Sequence, residues 1–377
     1  MTLAARLPEY PWDELAPIAE KASAFPGGAV DLSVGTPVDP VPTVIQDALS
    51  AAANAPGYPL TAGTPELRSA AAGWLARSLD VHVDPASVLP VIGTKEFIAW
   101  LPTMLGLGPD DTVIYPSLAY PTYDIGARLS GSASVPVDLA AGPGQHGALD
   151  GAPESSRLLW VNSPSNPTGR VLPAAALRDA LAWTRSRGAV LASDECYIEL
   201  GWDAAPVSVL HPTVRGDSLA GVLAVFSLSK RSNLAGYRAG FVTGDPALMK
   251  DLLLVGRQAG MIVPAPVQAA MIAALSDDAH AVEQKARYAA RRAILIEGLT
   301  AAGFTIEHSE AGLYLWATRP GLDCWAACEL LATECGILVG PGSMYGPEGD
   351  AYIRLALTAT DERVAAGGER LRALASR

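Results

Sequence analysis

Cysteine is scarce. The 377 residues contain four, Cys196, Cys324, Cys328 and Cys335. No histidine accompanies the last three and no Cys-x-x-Cys occurs, so the common zinc patterns are excluded and reduced thiols are expected rather than a disulfide framework. No metal is expected. Cations are short as well, with 27 Lys+Arg against 39 Asp+Glu and a net charge of −12. That balance argues against nucleic-acid or anionic-membrane partners, so any anionic ligand must be drawn by local arginines and lysines. No apolar stretch approaches the ~20 residues of a membrane-spanning helix. The first residues, Met1 to Pro11, lack the apolar core of a signal peptide. Internal repeats and low-complexity tracts are missing too. The expectation is a cytoplasmic protein. Half of the residues are hydrophobic, ample for a core, and the length suits two domains.

The segment from Val225 to Phe241 carries the most information. Lys230 sits just beyond the apolar run Val222–Phe226, flanked by Ser227, Ser229 and Ser232, with Arg238 eight residues on. A lysine at a strand end forms a Schiff base with a carbonyl cofactor when its surroundings favour the free amine. Hydroxyls and an arginine beside it suit a phosphate. Together they suggest pyridoxal 5′-phosphate (PLP); the competing reading is a solvated surface lysine. Asp194, in Ala189-Val-Leu-Ala-Ser-Asp-Glu-Cys-Tyr197, ends another apolar run. A buried carboxylate there would keep a pyridine nitrogen protonated, with Tyr197 donating to the ring's phenolic oxygen; the alternative for Asp194 is a helix N-cap. Asn166, in Ser163-Pro-Ser-Asn-Pro-Thr-Gly169, follows a further strand, and Pro167 favours an extended Asn166. Its amide would meet the same phenolic oxygen, unless the segment is simply a turn. Gly93-Thr-Lys-Glu96 passes from strand to helix, where backbone N–H groups of Gly93, Thr94 and Lys95 suit a phosphate. Tyr120 is either a ring-stacking or a core aromatic.

In order, Gly93-Thr-Lys-Glu96, Tyr120-Pro-Thr-Tyr123, Asn166-Pro-Thr-Gly169, Asp194-Glu-Cys-Tyr197 and Ser227-Leu-Ser-Lys-Arg-Ser232 through Arg238 resemble the fold-type I PLP-dependent aminotransferases. The resemblance runs from about Asp31 to the last helix. It implies that Tyr58, in Gly57-Tyr-Pro-Leu-Thr-Ala-Gly63, reaches the partner's phosphate site in a homodimer. It also implies that Arg354, in Tyr352-Ile-Arg-Leu-Ala356, clamps the substrate α-carboxylate, with Gly35 close by.

Apolar runs at Val88–Ile92, Thr112–Tyr115, Ala133–Val137, Leu158–Asn162, Ala189–Ser193, Val222–Phe226 and Ala239–Thr243 alternate with helix-like stretches. Such runs predict an α/β fold with a mostly parallel seven-stranded sheet covered on both faces. The proposed cofactor groups fall just past the ends of the runs, where open α/β sheets place ligands. The expected division is a large PLP-binding domain, 45–265, and a smaller α+β domain with the N-terminal arm, 1–44 plus 266–377. Pro264 and Pro266 are read as the hinge. Further strands are expected at Thr305–His308, Gly312–Thr318 and Tyr352–Leu357.

What the resemblance implies is transamination between amino acids and 2-oxo acids, with Lys230 moving the proton at Cα. Pro11-Trp-Asp-Glu-Leu15, Asp31-Leu-Ser-Val-Gly-Thr-Pro37, Ser229-Lys-Arg-Ser-Asn-Leu-Ala-Gly236 and Ala311-Gly-Leu-Tyr-Leu-Trp316 resemble the actinobacterial type of N-succinyldiaminopimelate aminotransferase, on the route to lysine. Its substrate has a distal carboxylate, for which Lys95 and Arg231 are the candidate partners. An aminotransferase for another amino acid, a C–S lyase of the same fold and a silent PLP-binding module are the alternatives.

Overall fold

The computed structural model describes residues 2–9, 11–139 and 147–374. Its strands are β1 (Val30–Asp31), β2 (Val88–Ile92), β3 (Thr112–Pro116), β4 (Ala133–Val137), β5 (Ser156–Asn162), β6 (Val190–Asp194), β7 (Val222–Ser227), β8 (Ala239–Gly244), β9 (Thr305–Ile306), β10 (Tyr314–Thr318), β11 (Ile337–Leu338), β12 (Gly340–Pro341) and β13 (Tyr352–Ala356). Seven of them form a central sheet in the order β2-β8-β7-β6-β5-β3-β4. From β4 to β7 the pairing is parallel; β8 runs antiparallel to both β7 and β2. Strand residues are apolar on both faces because both faces are covered. Leu158 and Trp160 enter one core, Leu159 and Val161 the other. The register Asn162↔Asp194 and Asp194↔Val225 levels the ends of β5, β6 and β7, so that polar side chains at those ends meet at one edge.

A second sheet, β12-β13-β10-β9, has its own core, to which Leu15, Ile18, Val30 and Leu32 of the N-terminal segment contribute. β1 pairs parallel with β11, tying that segment to the smaller sheet and delivering Ser33 to Thr36 towards the central sheet's edge. In this sheet Arg354 lies opposite Trp316, which puts Tyr314, two residues away on β10, on the same face. Among the described residues no helix is long and apolar enough to cross a membrane.

Three expectations are corrected. The helix Ala265–Ser276, expected to open the smaller domain, buries Ala270, Met271, Ala274 and Leu275 in the core of the central sheet. It is apolar almost all round, so sequence pattern gave it no preferred side; Pro264 and Pro266 open this helix, and the cores divide after it. The strand expected at Thr305–His308 ends at Ile306, as His308 and Ser309 adopt positive φ. The strand expected from Gly312 starts at Tyr314.

Glu195 lies behind β6, 1% exposed, and accepts the Val209 N–H at 2.8 Å. Burial pushes its carboxyl up to about 7 against opposing hydrogen bonds from Ser208 and Val209. An acid whose folded pKa is raised contributes full stability below its unfolded value and loses it as pH rises through the folded one. Stability should therefore decline between about pH 4.5 and 7 by on the order of 3 kcal/mol from this group. Glu195→Gln should flatten that decline in chemical denaturation at pH 5 and pH 8. An unchanged pH dependence would show that Glu195 does not govern it.

Candidate active site

The ends of β5, β6 and β7 face Arg354 and Tyr314 of the smaller sheet across a cavity of about 250 Å³. Lys230 enters it from the short helix Leu228–Arg231 that follows β7, whose first turn is capped by Ser227 Oγ accepting the Ser229 N–H at 3.1 Å. The Lys230 ammonium donates to the Gly35 carbonyl, and Tyr288 Oη donates to the Lys230 carbonyl at 3.2 Å. Burial holds the Lys230 pKa below the ordinary lysine value; Arg354 and Arg238 act the same way, while Tyr314 and Cys196 oppose. A depressed pKa favours the free amine needed of a nucleophile or a base.

Asp194 closes β6 and is buried beneath the cavity. Its Oδ2 accepts from Tyr123 Oη at 2.9 Å and its Oδ1 from the Cys196 N–H at 3.2 Å. Burial raises its pKa, with the Cys196 and Tyr123 hydrogen bonds opposing. A cationic partner would reverse that direction. Asn162 steadies this edge, its Nδ2 donating to the Asp194 carbonyl at 2.8 Å and its Oδ1 accepting the Asn166 N–H at 2.7 Å. The peptide bonds before Pro164 and Pro167 are cis.

One end of the cavity is a backbone cradle. Gly93 has φ 72°, and a Cβ there would stand 2.3 Å from Arg238 Nη2. The helix Thr94–Met104 starts immediately after it, and Thr94, Lys95, Ser227, Ser229 and Arg238 line this end. A helix N-terminus, hydroxyls and a guanidinium against a bare glycine are what a phosphate requires.

Arg354, only 3% exposed, lines the same cavity. Its Nη1 donates to Asn166 Oδ1 at 2.9 Å and its Nη2 to the Ser33 carbonyl at 2.6 Å. Its buried Nε has no hydrogen-bond partner among the described residues. The guanidinium carbon lies 4.0 Å from the Tyr314 ring centre, 4.7 Å from Tyr345 and 5.8 Å from Trp12. A buried cation with an unused donor suits an incoming carboxylate.

Gly35, Tyr120 and Tyr197 line the cavity beside these groups. Tyr120 packs edge-on against Tyr123. Two residues fall elsewhere. Tyr58 is fully exposed and does not line the cavity. Arg231, a candidate for a distal carboxylate, is also outside it: Nε donates to Glu199 Oε2 at 2.5 Å and Nη1 to the Ala274 carbonyl at 2.6 Å. Consecutive helix residues point in different directions, so Arg231 turns away as Lys230 turns in. Sequence reasoning overlooked Tyr123, Cys196, Tyr314, Tyr345 and Trp12. Tyr123 and Cys196 lay inside motifs already singled out. Nothing in the sequence brought Tyr345 forward.

The family "Aminotransferase class I and II" matches residues 28–371. The 4-dedimethylamino-4-oxo-anhydrotetracycline transaminase OxyQ of Streptomyces rimosus is 58% identical over 365 residues, covering 97% of this chain and 99% of the relative. A "probable aminotransferase" of Mycobacterium tuberculosis is 57% identical over 370 residues, covering 98% of this chain and 86% of the relative. Among solved structures, a "probable N-succinyldiaminopimelate aminotransferase" of Thermus thermophilus superimposes with a TM-score of 0.86 at 28% identity, over 97% of this chain and 100% of the other. The chain belongs to the class I and II aminotransferases, PLP-dependent transaminases that act on amino acids and 2-oxo acids.

Proposed function

We propose that this transaminase exchanges the amino group of N-succinyl-L,L-2,6-diaminopimelate with 2-oxoglutarate, in lysine and diaminopimelate biosynthesis, as a cytoplasmic homodimer. The carrying observation is Arg354, buried with an unpartnered Nε on the wall of the cavity that Lys230 enters. Such a clamp requires a substrate with a carboxylate beside its reacting carbon. The name of the Thermus thermophilus neighbour supports the succinylated diaminopimelate; Lys95, on the cavity wall, is the candidate for its distal carboxylate. The Streptomyces rimosus relative favours a second reading, a polycyclic oxo substrate.

The residue roles belong to the same proposal. Bound PLP supplies an electron sink for the Cα carbanion. Lys230 holds it covalently at rest and, once freed, takes the proton from Cα and returns it. Asp194 keeps the ring nitrogen charged, itself aimed by Tyr123 and the Cys196 N–H. Asn166 and Tyr197 hold the phenolic oxygen. Gly93, Thr94, Lys95, Ser227, Ser229 and Arg238 hold the phosphate, Thr94 and Lys95 chiefly through backbone N–H, joined by Tyr58 of the other protomer, for which full exposure leaves it available. Arg354, Asn166 and Gly35 seat the α-carboxylate. A large domain around the central sheet and a small one around β9–β13 complete the reading; the packing of Ala265–Ser276 on the core of the central sheet supports a boundary past Ser276 rather than at 265.

Gly93→Ala should weaken PLP binding at least about 10-fold. The methyl group strains a left-handed backbone by roughly 1–2 kcal/mol and displaces Arg238. Titration of the apoprotein with PLP checks this, and an unchanged affinity would remove Gly93 from the cradle.

The test of function is glutamate formation from 2-oxoglutarate with N-succinyl-L,L-diaminopimelate as donor. Ornithine, N-acetylornithine, aspartate and alanine run alongside, with a 4-amino-anhydrotetracycline for the second reading. Preference for the succinylated donor supports the proposal. Preference for another amino acid sinks the substrate assignment, and preference for the tetracycline does so in favour of the second reading, leaving the α-carboxylate clamp to the 2-oxoglutarate half-reaction.

A further inference from the structure

Tyr314 stands on β10 with its ring over the Arg354 guanidinium. Its hydroxyl lies 3.2 Å from that of Tyr197, the rings meeting edge to face at 5.7 Å. Both tyrosines are buried and both line the cavity that holds Lys230. The ring has little freedom on its other side: a Cβ at Gly35 would stand 2.3 Å from Tyr314 Oη, so only a glycine there admits this tyrosine. The hydroxyl is thus fixed by backbone behind it and by a cation against its face.

Two hydroxyls in hydrogen-bond contact share one proton between them, and only one of the pair donates. If Tyr197 donates outwards to the cofactor's phenolic oxygen, the proton between the tyrosines must come from Tyr314. We infer that Tyr314 is a positioning residue for transamination, donating to Tyr197 Oη so that the Tyr197 proton is aimed at, and strengthened towards, the phenolic oxygen of the bound cofactor. This inference rests on the proposed role of Tyr197. Hydrogen bonds in a chain polarise one another, so the second bond gains strength from the first. The arrangement also accounts for the pairing of Gly35 with Tyr314: the glycine makes room for the hydroxyl, not merely for substrate.

The experiment uses holoenzyme and records the pH midpoint at which the bound cofactor changes colour, for Tyr314→Phe, Tyr197→Phe and the double variant. A donor to the phenolic oxygen favours the more negative, deprotonated state, so losing it raises the midpoint. Tyr197→Phe should raise it by about 1 pH unit or more, and Tyr314→Phe by about 0.5 unit, the fraction expected of a bond acting through its neighbour. The double variant should match Tyr197→Phe alone. Phenylalanine keeps the ring on Arg354, so folding is preserved. A midpoint unmoved by Tyr314→Phe while Tyr197→Phe shifts it overturns the inference, even if the thermal midpoint falls. An additive shift in the double variant overturns it as well, because Tyr314 would then act directly. No shift with Tyr197→Phe would instead overturn the reading of Tyr197 on which the inference stands.

Discussion

Lys230→Ala is expected to lower kcat/KM for transamination by about 10⁴-fold or more, and to leave a protein that binds PLP without a covalent tether. Proton transfer by a positioned base contributes roughly 10²–10⁴-fold, and the loss of the covalent attachment adds to it. Of the other cations lining the cavity, Arg354 and Arg238 are guanidiniums that do not release a proton, and Lys95 lies at the cradle end with Arg238. Lys230→Arg should therefore be as inactive as the alanine variant. A small primary amine added to Lys230→Ala should restore part of the rate, since its free base fits the vacated volume. The wild-type apoprotein should show the companion effect. Burial depresses the Lys230 pKa, so its free-amine fraction at a given pH exceeds that of an ordinary lysine. Covalent attachment of PLP should accordingly persist to lower pH than with a free alkylamine. Single-turnover absorbance with glutamate is the measurement, and more than about 1% of wild-type rate in Lys230→Ala would refute the assignment.

How much of this was legible depended on whether the physical signal was local. The seven central strands stood out because a sheet covered on both faces needs unbroken apolar runs; β7 is buried at every position. Most of the proposed cofactor groups stood out because they lie just past such a run. Contacts made across the fold did not. Tyr123 and Asp194 are 71 residues apart, and Tyr197 and Tyr314 are 117 apart. A tyrosine alone does not say which distant oxygen it meets. Arg231 misled for the same reason: as a cation it was a candidate for the substrate's distal carboxylate, whereas the turn of the chain sends it to Glu199. The helix Ala265–Ser276 carried too little polar contrast to reveal its facing side, and only packing assigns it.

Arg354→Lys should reduce kcat/KM for α-amino and 2-oxo acids by about 10²–10⁴-fold while leaving PLP affinity near the wild-type value. The guanidinium reaches Asn166 Oδ1 and the Ser33 carbonyl from two nitrogens at once, with Nε still open. An ammonium occupies one point of that fork and cannot span it. Loss of two charge-assisted bonds to a carboxylate costs about 3–6 kcal/mol at roughly 1.5–3 kcal/mol each, the source of the expected range. The flat faces towards Tyr314 and Tyr345 are lost as well, so the lysine would not be held in the arginine's place. The defect should depend on substrate. A donor with an α-carboxylate loses the clamp, whereas a ring-borne amine without one never engaged it and should react at nearly the wild-type rate if it reacts at all. Single-turnover kinetics of the PLP-loaded enzyme with each donor, which leave out the 2-oxo acid that also needs the clamp, separate the cases. An equal loss on both would mean that Arg354 sustains the architecture around Asn166 and Ser33, not the carboxylate, and the α-carboxylate requirement would fall with it.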